Sequence, residues 1–249
     1  MGSALHPCPR LHDSSSLQLR LMGGFELRCA GNAVPLPLSA QRVLAFLALH
    51  DSPLMRAYLG EVLWPESHRR RAGANLRSAI WRTRQTGHDL FEASSNQLML
   101  APAIAVDIRE RRALARRLLD RSVECSPSDL GLEAVAALSV ELLPDWFDEW
   151  LLLERERWNQ LRLHALEALT ERLLAADEYS QAVEAALAAV WVEPLRESAH
   201  RLLIRVHTAE GNWSEALSQY QRYRRLLQRE LGIAPTEQME DLIRALTCR

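Results

Sequence analysis

The sequence predicts a mostly α protein in two modules: a small mixed module of short strands and three helices, then an all-α array of helix pairs. Three observations predict it. Before Asp107, apolar residues alternate in short runs between glycine-bearing turns. From Asp107 onward they recur at helical spacing, with short breaks. The formal charge also changes sign at that point. Residues 1–107 hold 11 Arg and 8 acids, a formal +3, and residues 108–249 hold 19 Arg and 24 acids, a formal -5. A basic front and an acidic back read as modules with different partners. The boundaries that follow are a loose Pro- and Ser-rich tail over 1–16, a first module over 17–107 and a second over 108–249.

The bulk composition narrows the classes. A chain of 249 residues, 48% hydrophobic, can bury a sizeable core. Its charge is mixed, which excludes a compositionally disordered chain. No apolar run reaches the length of a membrane span, and "MGSALHPCPRLHDSSS" lacks the apolar segment of a secretory signal, so the reading is a cytoplasmic protein with no membrane partner. Cys8, Cys29, Cys125 and Cys248 lie far apart with no CxxC pair, and the eight histidines show no HExxH spacing. Four reduced thiols are expected, with no metal and no other cofactor. Every basic residue is arginine. That reads first as codon bias in a GC-rich genome and only second as chemistry.

Taken in order, "LQLRLMGGFELRCAGNAVPL" reads as short strands joined by turns at Gly23-Gly24 and Gly31-Asn32. "LSAQRVLAFLALH" is a helix with Ser39 as its N-cap and Val43, Leu44 and Leu47 on its apolar face. "MRAYLGEVLW" is a second, short helix, ended by Pro65. A third runs from about Arg69 to Thr86 and closes at Gly87. "LFEASSNQLMLAP" is a hairpin with "SSN" at its tip. Strands, three helices and a hairpin form the order of a winged helix-turn-helix, whose third helix enters the major groove.

That third helix carries six arginines, Arg69, Arg70, Arg71, Arg77, Arg82 and Arg84, and no acid follows Glu66 until Asp89. At 100° per residue, Ala72, Leu76, Ala79, Ile80 and Thr83 share one face. Arg71, Ala74, Asn75, Ser78, Arg82 and Gln85 share the opposite one. Arginine can contact guanine O6 and N7 in two-pronged fashion, and asparagine can pair with adenine N6 and N7. Arg69 and Arg70 at the helix start and Arg77 on the flank suit phosphates better. Arg56, at the start of the second helix, is a further candidate DNA contact. The plainer reading is a solvated basic face, but six like charges repel along a helix unless an anion is present.

From Asp107 onward helices are broken at "CSPSD", "LLPDW", "AADEYS", "WVEP", "AEGNW" and "GIAPT". Shifting Leu161–Pro194 by 34 residues lays it on Leu195–Gln228. Ala165 then meets Ala199, Leu169 meets Leu203, Tyr179 meets Trp213 and Ala182 meets Ala216. A period of that length, with small residues where helices cross, predicts a tetratricopeptide-like stack; an unrelated helical bundle is the alternative. Trp146, Trp150, Trp158, Trp191 and Trp213 are expected to be mostly core. No one-sign basic helix comparable to the third is expected in this module. "DWFDEW" sets Asp145, Asp148 and Glu149 close together. They read as an acidic helix N-terminus, which complements the helix dipole, rather than as catalytic carboxylates, since no histidine, cysteine or glycine-rich loop accompanies them. The chain is therefore not expected to be an enzyme.

"LWPESHRRRAGANLRSAIWRTRQ" resembles the DNA-binding helix region of the Streptomyces antibiotic regulatory proteins. "ELLPDWFDEWLLLERERWNQLRLHALEAL" and "PLRESAHRLLIRVHTAEGNWSEALSQYQRYRRLLQRELGIAP" resemble the bacterial transcriptional activator domain that follows it in that family. The resemblance covers about residues 17–247. It implies a response-regulator-type winged helix fused to a tetratricopeptide-like activator domain. It further implies binding to direct repeats in double-stranded promoter DNA, contact with RNA polymerase holoenzyme, and activation of a secondary-metabolite gene cluster. A homodimer or side-by-side protomers would occupy the repeats. Carried over by position, the groove-facing residues are Arg71, Asn75, Arg77, Ser78 and Arg82, and the wing tip is Ser95 and Asn96. The family's wing usually carries a Gly-Tyr pair, where this chain has "SSNQL". Larger relatives append an ATPase; this sequence has no GxxxxGK[ST] loop, so no nucleotide switch of that kind is expected. The competing functions are a sequence-specific activator and a tetratricopeptide scaffold or ligand-sensing regulator whose basic helix binds a protein.

Overall fold

The computed structural model describes residues 17–247. The tail expected over 1–16, Cys8 and Cys248 lie outside them. The described residues are mostly helical, with ten α-helices and small sheets. They form two compact units, one of residues 17–21 with Phe25–Asp107, the other of Met22–Gly24 with 108–247.

In the first unit, β1 (Leu17–Arg20), β2 (Glu26–Cys29) and β3 (Asn32–Ala33) pair antiparallel in sequence, with Leu19 opposite Leu27 and both buried. The turn between β2 and β3 needs two left-handed residues, Ala30 at φ 48° and Gly31 at φ 82°. Helix α1 (Leu38–Ala48) buries Val43, Leu44 and Leu47. It starts one residue ahead of the expected cap. Pro37, extended at φ -68° and ψ 150°, is the residue before the helix, and Ser39 lies within the first turn. Gln41 donates to the Leu36 carbonyl at 2.7 Å instead.

Strand β4 (Leu54–Met55) leads into α2 (Arg56–Leu63), and α3 (Arg69–Arg84) follows. The two helices cross closely at Gly60, where a Cβ would stand 3.4 Å from the Ala72 carbonyl carbon. The hairpin of β5 (Phe91–Ala93) and β6 (Gln97–Leu100) accepts β4 on its other side, giving the order β4-β6-β5. Finally β7 (Ala105–Val106) lies parallel to β1, with Leu19 opposite Val106. The sequence does not announce β4 and β7. Each is two residues long and pairs with a partner far along the chain, so neither shows an alternation of its own.

The second unit contains all but the first residue of α4 (Asp107–Leu119). After a short 3-10 turn at Pro127–Leu130 come α5 (Leu132–Ser139), α6 (Glu149–Ala175), α7 (Tyr179–Val192), α8 (Glu197–Glu210), α9 (Trp213–Glu230) and α10 (Glu237–Thr247). The pairs α6/α7 and α8/α9 carry the 34-residue register. Ala165 and Ala199, Leu169 and Leu203, and Ala182 and Ala216 are all fully buried. The same register aligns two left-handed residues at the bends, Asp177 at φ 59° and Gly211 at φ 89°. Where the first pair buries Leu166, the second buries His200. His200 Nε2 meets the Pro194 carbonyl at 2.9 Å, Gln219 Nε2 meets Nδ1 at 2.7 Å, and the ring stacks on Tyr223 at 4.2 Å. Burial holds the imidazole below its usual range, in keeping with a neutral ring.

Arginines and a tryptophan of α6 hold the turn after α5. Arg155 donates to the Leu142 carbonyl at 2.9 Å and also to that of Leu143, Trp158 to Val140 at 3.1 Å, and Arg162 to Ser139 at 3.1 Å. These donors satisfy carbonyls left over at a helix end. Only Trp158 of the five tryptophans in this unit is buried. Trp146 and Trp150 are half-buried, packed edge-to-face, and Trp191 is 85% exposed. The expectation of a tryptophan core is corrected by the alanine positions: helices that cross on Ala165, Ala182, Ala199 and Ala216 leave no room for indoles. Asp148 precedes the first residue of α6 and Glu149 lies in its first turn, at the positive end of the helix.

Candidate nucleic-acid interface

Helix α3 begins with Arg69, Arg70 and Arg71, and its first turn has no acid. His68, the residue before it, makes no side-chain capping bond. A helix N-terminus already carries partial positive charge, so three arginines there oppose the helix dipole and one another. The helix is held by its other face. Ala72, Leu76, Ala79, Ile80 and Thr83 are buried, and the Thr83 hydroxyl donates to the Ile80 carbonyl at 2.7 Å, which leaves that face without an unpaired polar group.

The outward side has two strips. Arg71, Asn75, Ser78 and Arg82 form one; Arg70, Arg77, Trp81 and Arg84 form the other. All are exposed except Asn75, which is half-buried. Trp81, which the sequence reading passes over, is 61% exposed among the arginines. Its only sequence signal is its place on the polar side of the wheel.

Ion pairing separates the arginines. Arg69 Nε lies 3.0 Å from Glu61 Oε1 of α2, so Arg69 is partly neutralised at home. Among the described residues no carboxylate pairs with Arg70, Arg71, Arg77, Arg82 or Arg84. Five like charges on one helix therefore have no counter-charge among the described residues.

The hairpin supplies a second cluster. Ser94 and Gln97 close its tip, with Ser94 N–H donating to the Gln97 carbonyl at 3.1 Å and Gln97 N–H to Ser94 Oγ at 3.0 Å. Ser95 and Asn96 stand exposed at the apex. The Asn96 carbonyl accepts from the Arg56 N–H at 2.8 Å, which ties the tip to the start of α2. Arg56 is half-buried and its Nε is buried without a hydrogen-bond partner. Thus Arg71, Asn75, Ser78 and Arg82 share one strip, Arg70 and Arg77 the next, and Arg56, Ser95 and Asn96 gather at the hairpin.

In the helical unit, a cleft of about 460 Å³ is lined by His164, Glu167, Glu171, Arg201 and Arg205 among others. Glu167 already accepts from Arg196 at 3.0 and 3.2 Å and from Ser198, so its carboxylate is committed to structure. Cys29 and Cys125 are free thiols. Among the described residues, no cluster of three or more His, Cys, Asp or Glu is placed to hold a metal ion, and no helix is long and apolar enough to cross a membrane.

The family model of the bacterial transcriptional activator domain matches residues 106–247. Regulatory protein AfsR of Streptomyces griseus is 25% identical over 236 residues, which are 90% of this chain and 23% of that protein. Regulatory protein AfsR of Streptomyces coelicolor is 26% identical over 238 residues, 92% of this chain and 24% of that protein. The chain therefore spans about a quarter of the length of these curated relatives. The structure of Mycobacterium tuberculosis EmbR in complex with a low affinity phosphopeptide matches with a TM-score of 0.72 at 22% identity, covering 94% of this chain and 65% of that one; this likeness is one of fold. The chain belongs to the bacterial transcriptional activator domain family.

Proposed function

We propose that residues 17–107 are a winged helix-turn-helix that binds direct repeats in double-stranded promoter DNA, and that residues 108–249 are the activator domain that recruits RNA polymerase holoenzyme. The single observation that carries the reading is the set of five arginines on α3 with no carboxylate partner among the described residues. Arg71, Asn75, Ser78 and Arg82 face base edges, where arginine and asparagine have matching two-pronged partners. Arg70, Arg77 and Arg84 meet phosphates, as do Arg56, Ser95 and Asn96 at the hairpin. Two protomers lie side by side on the repeats. The resemblance to antibiotic regulators supports a secondary-metabolite gene cluster as the target. On this reading the protein acts in the cytoplasm, without a cofactor and without catalysing a reaction.

The test is footprinting of the full chain on promoters of the surrounding gene cluster, followed by transcription with purified polymerase. The expected result is protection of two direct repeats and stimulated transcription, both abolished when one repeat is scrambled. An absence of any footprint would turn the reading toward a scaffold whose basic helix binds protein. A footprint without stimulation would remove the activator half.

A further inference from the structure

Helix α9 carries a second basic surface, on a module whose formal charge is -5. Its inner face buries Ala216, Gln219, Tyr223 and Leu227. Its outer face presents Ser218, Gln221, Arg222, Arg225, Gln228 and Arg229, all exposed. Arg224 stands exposed on the flank. No acid occurs between Glu215 and Glu230. Arg229 pairs with Glu230 at 2.8 Å, but among the described residues no carboxylate pairs with Arg222, Arg224 or Arg225. Arg222 Nε donates to the Gln219 side chain at 3.1 Å, and Arg225 Nε to the Gln221 carbonyl at 3.2 Å. Neither bond removes charge. Unlike α3, α9 is not of one sign, since it includes Glu215 and Glu230, but the stretch between them carries arginines alone. Tyrosines and leucines interrupt the arginines in the linear sequence, and only the helical turn gathers them.

The chemistry of this face matches that of α3, where arginines alternate with a hydroxyl and an amide. It contains no apolar anchor, whereas the centres of protein–protein interfaces are built on buried aromatic and aliphatic side chains. Guanidinium, amide and hydroxyl groups are instead the usual donors to phosphate oxygens. From Arg222 to Arg229 the helix rises about 10 Å, the axial rise of about three base pairs of duplex DNA. We infer that the outer face of α9 is a second, sequence-independent contact for the phosphate backbone of duplex DNA. This rests on the reading of the chain as a DNA-binding activator. It assigns to the activator domain a share of the affinity and none of the base preference.

The test is the salt dependence of binding of the full chain to a fluorescent duplex of scrambled sequence, followed by anisotropy. Removing one arginine–phosphate ion pair lowers the slope of log K against log salt by about 0.9. R222Q/R225Q/R229Q should lower it by about 2 to 3, and R225Q/R229Q, which keeps the Arg222–Gln219 bond but includes the Glu230-paired Arg229, by about 1 to 2. A charge-matched control, R205Q/R244Q, should leave it unchanged, and R70Q/R84Q on α3 should lower it by about 2. If the α3 variant lowers the slope while both α9 variants keep the wild-type value, α9 serves a protein or only solvent and the inference is overturned, with the proposed function intact. An equal fall in the charge-matched control would overturn it too, since net charge alone would then explain the effect. If the wild-type chain shows no salt-dependent binding, both readings fall together.

Discussion

The arginines of α3 and those around α6 are the same residue in opposite circumstances. Around α6 they are spent on the fold. Arg155 and Arg162 hold the carbonyls of the turn after α5, and Arg112 and Arg157 flank the buried Glu154 at 3.0 and 2.6 Å. Arg117 grips Asp129 with two bonds, at 2.7 and 3.3 Å. On α3, five of six arginines make no ion pair within the described residues. Around α6 the fold gives its arginines partners, whereas on α3 it leaves them exposed at the positive end and along the outer side of the helix. Arginine count alone says little about function; what each guanidinium already touches says more.

The largest effect is expected where a structural arginine is deprived of its acid. Glu154→Ala removes the buried carboxylate that Arg112 and Arg157 share and should destabilise the helical unit by about 3 kcal/mol, the low end for a broken buried pair. Denaturant unfolding followed by circular dichroism measures it. A change below about 0.5 kcal/mol, the range of ordinary surface substitutions, would put these arginines in the same class as those of α3.

Next in size are the residues proposed to face the bases. Arg71→Ala or Asn75→Ala should each remove about 1–3 kcal/mol of discrimination at one base position. Binding-site selection with each variant reads this. Wild-type preference in both would mean that α3 presents a different strip to the groove.

A smaller effect sharpens the structural half through pH. The Arg117 side chain, with the Ser126 donors, pulls the Asp129 carboxyl from its ordinary 3.8 down to about 2. A depressed carboxyl stabilises the fold fully above its unfolded value and ceases to do so as pH falls through the folded one. Asp129→Asn should therefore cost about 1–2 kcal/mol near neutrality, and the gap to wild type should close between pH 4 and pH 2. Thermal unfolding across that range gives the difference directly; a gap independent of pH would deny Asp129 its ionic role.

What was legible in the sequence follows from the range of the interactions concerned. The buried face of α3, Ala72 to Thr83, is a local periodicity and could be read from the wheel residue by residue. The 34-residue register exposed the alanine crossings of the helix pairs for the same reason. Strand β7, the Glu61 partner of Arg69 and the placement of Met22–Gly24 with the helical unit depend on distant segments meeting in space, and no local pattern encodes them. Met22 bridges to Leu142, and Gly23 donates to the Glu141 carbonyl at 2.8 Å. The tryptophans misled because large apolar residues usually pack inside, whereas here alanine lines the helix crossings. The outward-facing residues of α3 could be read from the wheel, but which of its arginines lack partners could not, because pairing is a property of neighbours in space.

The sharpest experiment measures DNA affinity and unfolding free energy on one variant in which Arg70, Arg71, Arg77 and Arg82 are all glutamine. If these arginines are held for DNA, affinity for the promoter duplex should collapse. Stability should meanwhile stay within about 0.5 kcal/mol of wild type, or rise as repulsion along the helix is relieved. A variant that unfolds more easily yet still binds its promoter would contradict the account, because the α3 arginines would then be part of the fold, as those around α6 are.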